Sequence, residues 1–142
     1  MRLFTSIPVS VIDNLEKVRE GIKPWGETAN GHDAVLVSAW EFFHSYGTPE
    51  WVVEFEVSPH EVFLDLDDDN ELLAQVDVLD EELEYWVDRS LAELWSRYPN
   101  VRVGSGYGLY VREVPAERIK RIQLQIIVDG DPDKEIRVTV FP

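Results

Sequence analysis

Short strand-like runs and helix-like stretches follow one another at irregular intervals, and this order restricts the fold more than any other feature. Two apolar runs, 119–128 and 136–141, flank the turn-rich segment 129–133 and predict a C-terminal β-hairpin. Further strands are predicted at 3–7, 34–37, 51–57, 62–66 and 109–114, and helices at 11–20, with Ser10 as N-cap and Gly21 just past the end, at 40–47 and at 80–98. Because the elements form neither a repeat nor a regular βαβ array, the sequence predicts an α+β fold.

Length and composition indicate a single domain that spans residues 1–142. Hydrophobic residues make up 44% of the chain and charged residues 29%, values that are ordinary for a globular protein. No apolar run approaches the roughly 20 residues that a membrane span needs, and the N-terminus lacks the apolar region of a secretory signal. The absence of cysteine excludes disulfides and thiolate chemistry. We therefore expect a cytoplasmic protein that does not enter membranes.

Negative charge is concentrated in one region of the chain. Residues 54–93 contain fifteen acidic residues and one base, Arg89, whereas the whole chain has a formal net charge of −15. A field of this sign repels nucleic acids and anionic membranes and attracts basic surfaces. The sequence therefore predicts a basic protein surface as partner and no direct binding of nucleic acid.

An acidic helical insert is predicted at about 67–98. Its helix begins at Asp80 and presents an apolar stripe, with acidic residues in the first turn, where the helix dipole favours them. The acidic residues that can line its exposed side are Asp80, Glu81, Glu84, Asp88 and Glu93. We interpret these five as candidate partner-binding residues.

Three patterns that resemble metal sites are incomplete. The run 65–71 has carboxylates at alternate positions, as calcium loops do, but Val76 stands where the bidentate glutamate is needed. The run 129–133 fails in the same way, with Val140 at that place. The histidines occupy three separate segments, at positions 32, 44 and 60, without ligand spacing. No metal site is predicted.

The order of several short motifs resembles that of ADP-ribosyltransferase-like domains. Residues 3–6 and the helix end at 18–24 (VREGIKP) are similar to the first strand of that superfamily and to the "GIxP" ending of its first helix. Residues 34–38 resemble its second strand, and 51–66 (WVVEFEVSPHEVFLDL) its "VLEVEVDP" segment. Residues 110–119 resemble the "IPPERI" turn before the closing strands.

This resemblance implies a split antiparallel or mixed sheet that binds NAD. Carried over residue by residue, it implies catalytic roles for Arg2, Ser38 and Glu113. It also implies contacts from Thr5, Ser6, Trp40 and Tyr46 to the cofactor, the two aromatic rings stacking on nicotinamide. A carboxylate near the ribose would stabilise the oxocarbenium-like state in which the nicotinamide bond breaks. The family's first-strand histidine is absent, and Val111 stands where a Glu-x-Glu pair would need its first acid.

The sequence therefore leaves two functions open. The first is an enzyme that transfers ADP-ribose from NAD to a macromolecule, as a toxin or effector would. The second is a non-catalytic inhibitor whose acidic face mimics DNA and blocks a basic partner, as anti-restriction and anti-CRISPR proteins do. Solubility or adaptation to high salt would also account for the acidity.

Overall fold

The computed structural model describes residues 2–28, 30–38, 49–65, 76–77, 103–104, 109–128 and 131–142, and these residues form mostly strands. The strands are β1 (Arg2–Pro8), β2 (Gly21–Ile22), β3 (Val35–Val37), β4 (Glu50–Glu56), β5 (Phe63–Leu64), β6 (Val76–Asp77), β7 (Val103–Gly104), β8 (Leu109–Val111), β9 (Val114–Pro115), β10 (Ile119–Ile127) and β11 (Glu135–Phe141). One α-helix, α1 (Leu15–Arg19), and 3₁₀ turns at Pro59–Glu61, Ala116–Arg118 and Pro132–Lys134 complete the described elements. In this part of the chain, no helix has the length and apolar character needed to cross a membrane.

Two antiparallel sheets contain most of these strands. The large sheet has the order β1-β4-β10-β11, and the small sheet has the order β3-β8-β5. Strand β2 pairs with β9 beside them, and β6 pairs with β7 in parallel. The predictions of an antiparallel sheet and of a C-terminal hairpin, β10-β11, are confirmed.

Among the described residues, the two sheets meet at a backbone bridge between β1 and the end of β3. Phe4 and Ser38 exchange both N–H···O bonds at 2.8 Å. Next to this bridge, the Thr5 hydroxyl donates to the Leu36 carbonyl at 2.7 Å. In the part of the chain that the structure describes, the other strand pairings of these two sheets stay within one sheet or the other.

The hydrophobic core lies on one face of both sheets, because side chains alternate along each strand. On β1 this face carries Leu3, Thr5 and Ile7, all of which are buried. Val18 of α1 and Ile22 of β2 close over the same face. Other core side chains are Val35, Val37, Trp51, Val53, Phe55, Val57, Val62, Leu64, Leu109, Val111, Val114, Ile119 and Ile122.

The opposite face, which we call the second face, carries the remaining side chains of these strands, and two of them on the large sheet, Phe4 and Val52, are also buried. Phe4 and Ser38 share it because residues paired in an antiparallel ladder point to the same side. Alternation along β1 and β3 adds Arg2, Ser6 and Leu36. In the small sheet, Leu36, Tyr110 and Phe63 form one row across β3, β8 and β5.

The first helix is shorter than the sequence predicts. The apolar spacing predicts a helix over 11–20 capped by Ser10, but α1 begins at Leu15 because the Asn14 side chain accepts from the Lys17 N–H at 2.9 Å and caps it there. The predicted end before Gly21 agrees with the C-cap at Glu20, and Ile22, which the apolar spacing included, belongs to β2. The predicted helices at 40–47 and 80–98, and with them the acidic insert, lie outside the described residues.

Gly21 links α1 to β2 with φ of +110°, a conformation that side chains disfavour. A Cβ at this position would lie 2.8 Å from the Val114 carbonyl oxygen, so there is also no room for one. We expect Gly21→Ala to lower the free energy of unfolding by about 1–3 kcal/mol. Urea denaturation measures this loss.

Gly31 provides the matched control because its φ is +81° but open space surrounds the position of a Cβ. Gly31→Ala should therefore cost only the backbone strain, about 1 kcal/mol. Equal losses in the two variants would contradict the proposed clash with Val114.

Candidate functional site

The bridge between the sheets brings together three of the residues that the resemblance implicates. Arg2, Ser6 and Ser38 lie on the second face, on two strands that are hydrogen-bonded to each other. Thr5 differs, because it points to the core face, is 2% exposed and donates its hydroxyl to Leu36. Its role in the structure is to join the sheets, and contact with a cofactor would require that hydrogen bond to break.

Glu113 does not lie beside Ser38. Val111 is level with Val35 in the β3-β8 register, and Ser38 is three residues beyond Val35, about 10 Å along the strand. Glu113 continues in the other direction and is exposed where the chain leaves β8 for β9. The described structure therefore places the proposed hydroxyl and the proposed carboxylate at opposite ends of the small sheet.

The other proposed contact residues cannot be placed. Trp40 and Tyr46, the expected nicotinamide contacts, lie outside the described residues. The same holds for the acidic residues expected to bind a partner, Asp80, Glu81, Glu84, Asp88 and Glu93. Their assignment stays a prediction.

Arg2 is held on the second face by its neighbours on the large sheet. Its guanidinium lies 3.4 Å from a Glu54 carboxylate oxygen and 5.5 Å from the centroid of the Phe4 ring. Glu54 also lies 3.3 Å from Arg121 Nε, so one carboxylate forms ion pairs with two arginines. Because its side chain is mostly exposed, Arg2 can turn toward an anion without leaving a buried charge unpaired.

A polar network that the sequence did not reveal surrounds Asp65 at the end of β5. The Asp65 side chain is fully buried, and its carboxylate accepts from the Thr28 hydroxyl, from the Asn30 N–H at 3.1 Å and from His32 Nδ1 at 2.8 Å. The Asp65 carbonyl accepts from the Asn30 side-chain amide at 2.8 Å. A buried carboxylate needs such partners, and here they all come from the loop 28–32.

This network fixes which nitrogen of His32 is available. A carboxylate only accepts hydrogen bonds, so Nδ1 donates to Asp65 and Nε2 remains for other partners. The His32 side chain is 43% exposed, which leaves its ring accessible to a ligand. Fixing one ring nitrogen by a carboxylate is how proteins orient the other nitrogen for binding or proton transfer.

His32 also contacts a cluster of rings on the second face. Its ring meets the edge of Phe63, with centroids 6.4 Å apart and planes at 75°. Phe63 lies 6.2 Å from Tyr110 at a tilt of 32°, and the Arg112 guanidinium carbon lies 5.9 Å from the Phe63 centroid. We call Phe63, Tyr110, His32 and Arg112 the ring cluster.

No group of three or more metal-ligating side chains occurs among the described residues. His32 and Asp65 are the one pair of such side chains in the network, and the Asp65 carboxylate already accepts three hydrogen bonds. The sequence offered no spacing that would reveal the network, because Asp65 is 33–37 residues from its partners.

Comparison with known proteins adds no assignment, since no family model, curated protein or solved structure matches the chain. Evidence about function therefore comes from the geometry of the second face and from the sequence.

Glu50 supplies an ionisable group on the large-sheet part of the second face. Desolvation raises the pKa of its carboxyl above 4.5, and Oε2 is buried without a hydrogen-bond partner among the described residues. Because folding favours the protonated form, the folded state loses stability as pH rises from 4.5 through the raised pKa.

We expect Glu50→Gln to remove this loss. The variant should be more stable than the wild type at pH 7 by about 1 kcal/mol, since it relieves a partly buried charge, and the difference should shrink at pH 4. Urea denaturation at the two pH values measures the effect. A variant that is less stable at pH 7 would show that the carboxylate has a stabilising partner.

Proposed function

We propose that this protein is an ADP-ribosyltransferase-like domain that binds NAD on the second face, where β1 and β3 meet. The observation that carries the proposal is the bridge between Phe4 and Ser38, which puts the first and second strands of the family-like order side by side. Arg2, Ser6 and Ser38 then offer a guanidinium and two hydroxyls on one surface. These groups suit the pyrophosphate and the ribose of a dinucleotide.

Transfer of ADP-ribose is a separate step that needs a carboxylate near the ribose. Glu113 lies toward the opposite end of β8 from Ser38. The Asp65 side chain is fully buried, and its carboxylate accepts three hydrogen bonds from the loop 28–32. The proposal for the described residues is therefore NAD binding, and transfer to a macromolecule as a toxin or effector is the activity that the resemblance adds to it.

Titration of the protein with NAD, followed by tryptophan fluorescence, tests binding directly. We expect a saturable change that Arg2→Gln weakens by about tenfold, because a hydrogen bond to a charged group contributes about 1.5 kcal/mol. Lys134→Gln, which removes an exposed charge in the turn before β11, is the matched control and should leave the affinity unchanged. Absence of a saturable change in the wild type would exclude the proposal.

Incubation with labelled NAD and a cell lysate separates binding from transfer. Label that is transferred by the wild type but not by Glu113→Gln would establish Glu113 as the carboxylate. Bound NAD without transfer would indicate a binding module. Transfer that survives in Glu113→Gln would point to another carboxylate.

A second candidate function is favoured by the fifteen acidic residues and one base of segment 54–93. In this alternative the segment binds the basic surface of another protein in place of a nucleic acid, as a DNA-mimicking inhibitor does. Because such binding is electrostatic, it should weaken steeply with salt.

A pull-down from host lysate at low and high ionic strength checks this alternative. The variant with Asp80, Glu81, Glu84, Asp88 and Glu93 changed to their amides should lose the basic partner at both salt concentrations. A partner retained by that variant, or retained equally at high salt, would exclude a DNA mimic.

A further inference from the structure

The ring cluster has the composition of a nucleotide site, and it is distinct from the residues proposed to bind NAD. Phe63 and Tyr110 are directly opposite each other on β5 and β8, so both rings lie on the second face. Each is only partly buried, and the next side chain in the row, Leu36, is 49% exposed. The row therefore presents a flat apolar and aromatic surface on a sheet, the kind of surface on which nucleobases stack.

Arg112 supplies a cation at the edge of this surface. Its one interaction among the described residues is with the Phe63 ring, so it has no carboxylate partner there although acidic residues outnumber basic ones 28 to 13. At 5.9 Å from the ring centroid, the guanidinium is at the outer limit of a cation–π contact. Arg112 therefore gives up little interaction energy when its guanidinium turns from Phe63 to a phosphate. The planar guanidinium binds a phosphate through two hydrogen bonds.

His32 supplies a second polar group, an imidazole nitrogen, next to the same ring. Its Nδ1 donates to the buried Asp65, so Nε2 is the nitrogen that a ligand can reach, and its lone pair accepts from a ligand O–H such as the hydroxyl of a phosphate monoester. The loop that carries His32 is fixed by three hydrogen bonds to the Asp65 carboxylate. This nitrogen is thus oriented before any ligand arrives, which lowers the entropic cost of binding.

We propose that the ring cluster binds a nucleoside monophosphate, with its base against Phe63 and Tyr110 and its phosphate between Arg112 and His32. The net charge of −15 favours a ligand with a single phosphate over a polynucleotide, whose many phosphates the protein repels. The proposal does not depend on NAD binding, because it uses none of the residues assigned to that site.

Calorimetric titration with AMP and with inorganic phosphate tests the site. We expect AMP to bind at least tenfold more tightly than phosphate, because only AMP has a base that can stack. Phe63→Leu should abolish this preference for AMP and leave phosphate binding intact, whereas Arg112→Gln should weaken both ligands. Equal affinities of the wild type for AMP and phosphate would overturn the proposal.

The chain offers a matched pair of controls at the other sheet. Arg19 lies 4.5 Å from the centroid of the Phe141 ring, so Phe141→Leu and Arg19→Gln repeat the same two changes away from the ring cluster. Both controls should retain wild-type AMP binding. Loss of AMP binding in the controls, or its retention in Phe63→Leu and Arg112→Gln, would overturn the proposal, provided that urea denaturation shows each variant folded.

Two further titrations separate this site from the alternatives. A short single-stranded oligonucleotide should bind no more tightly than AMP, and tighter binding would overturn the assignment to a mononucleotide. Arg2→Gln should leave the affinity for AMP unchanged even where it weakens NAD. If the affinities for both ligands fall together, AMP occupies the NAD site and a separate mononucleotide site is refuted.

Discussion

The hydrogen bond from the Thr5 hydroxyl to the Leu36 carbonyl, with the adjacent Phe4–Ser38 bridge, holds the two sheets together. A buried hydroxyl is stable only when it has a partner, and here the partner belongs to the other sheet. The contact sets which strands share a face on both sides of the split. The core and the second face both follow from this one pairing, and so do both proposed sites.

Local patterns were sufficient to predict most of the strands. The C-terminal hairpin is confirmed because apolar runs on both sides of a turn-rich segment specify their own pairing. The first helix was predicted too long because the helical apolar spacing already begins at Val11 and Ile12. The helix itself begins only after Asn14, whose side chain caps it. Capping is a choice among competing polar side chains, which periodicity alone does not resolve.

The site was less predictable than the fold. Motif order proposes Arg2, Ser6 and Ser38 as candidate site residues, but the separation of Glu113 from Ser38 depends on the register of β8 on β3, which is a tertiary property. Asp65 belongs to an acidic run that, viewed as sequence, resembles an incomplete calcium loop and does not indicate a buried carboxylate. Its burial follows from the loop 28–32, which folds onto it and supplies every donor.

The pairing of β5 with β8 brings the two ends of the long segment 66–108 next to each other. Leu64 and Leu109 face each other in adjacent antiparallel strands, so a turn of a few residues would suffice to join them. The long segment 66–108 therefore leaves β5 and enters β8 at the same end of this strand pair. Because the two ends of the segment are adjacent, a change in its length leaves the distance that it must span unchanged.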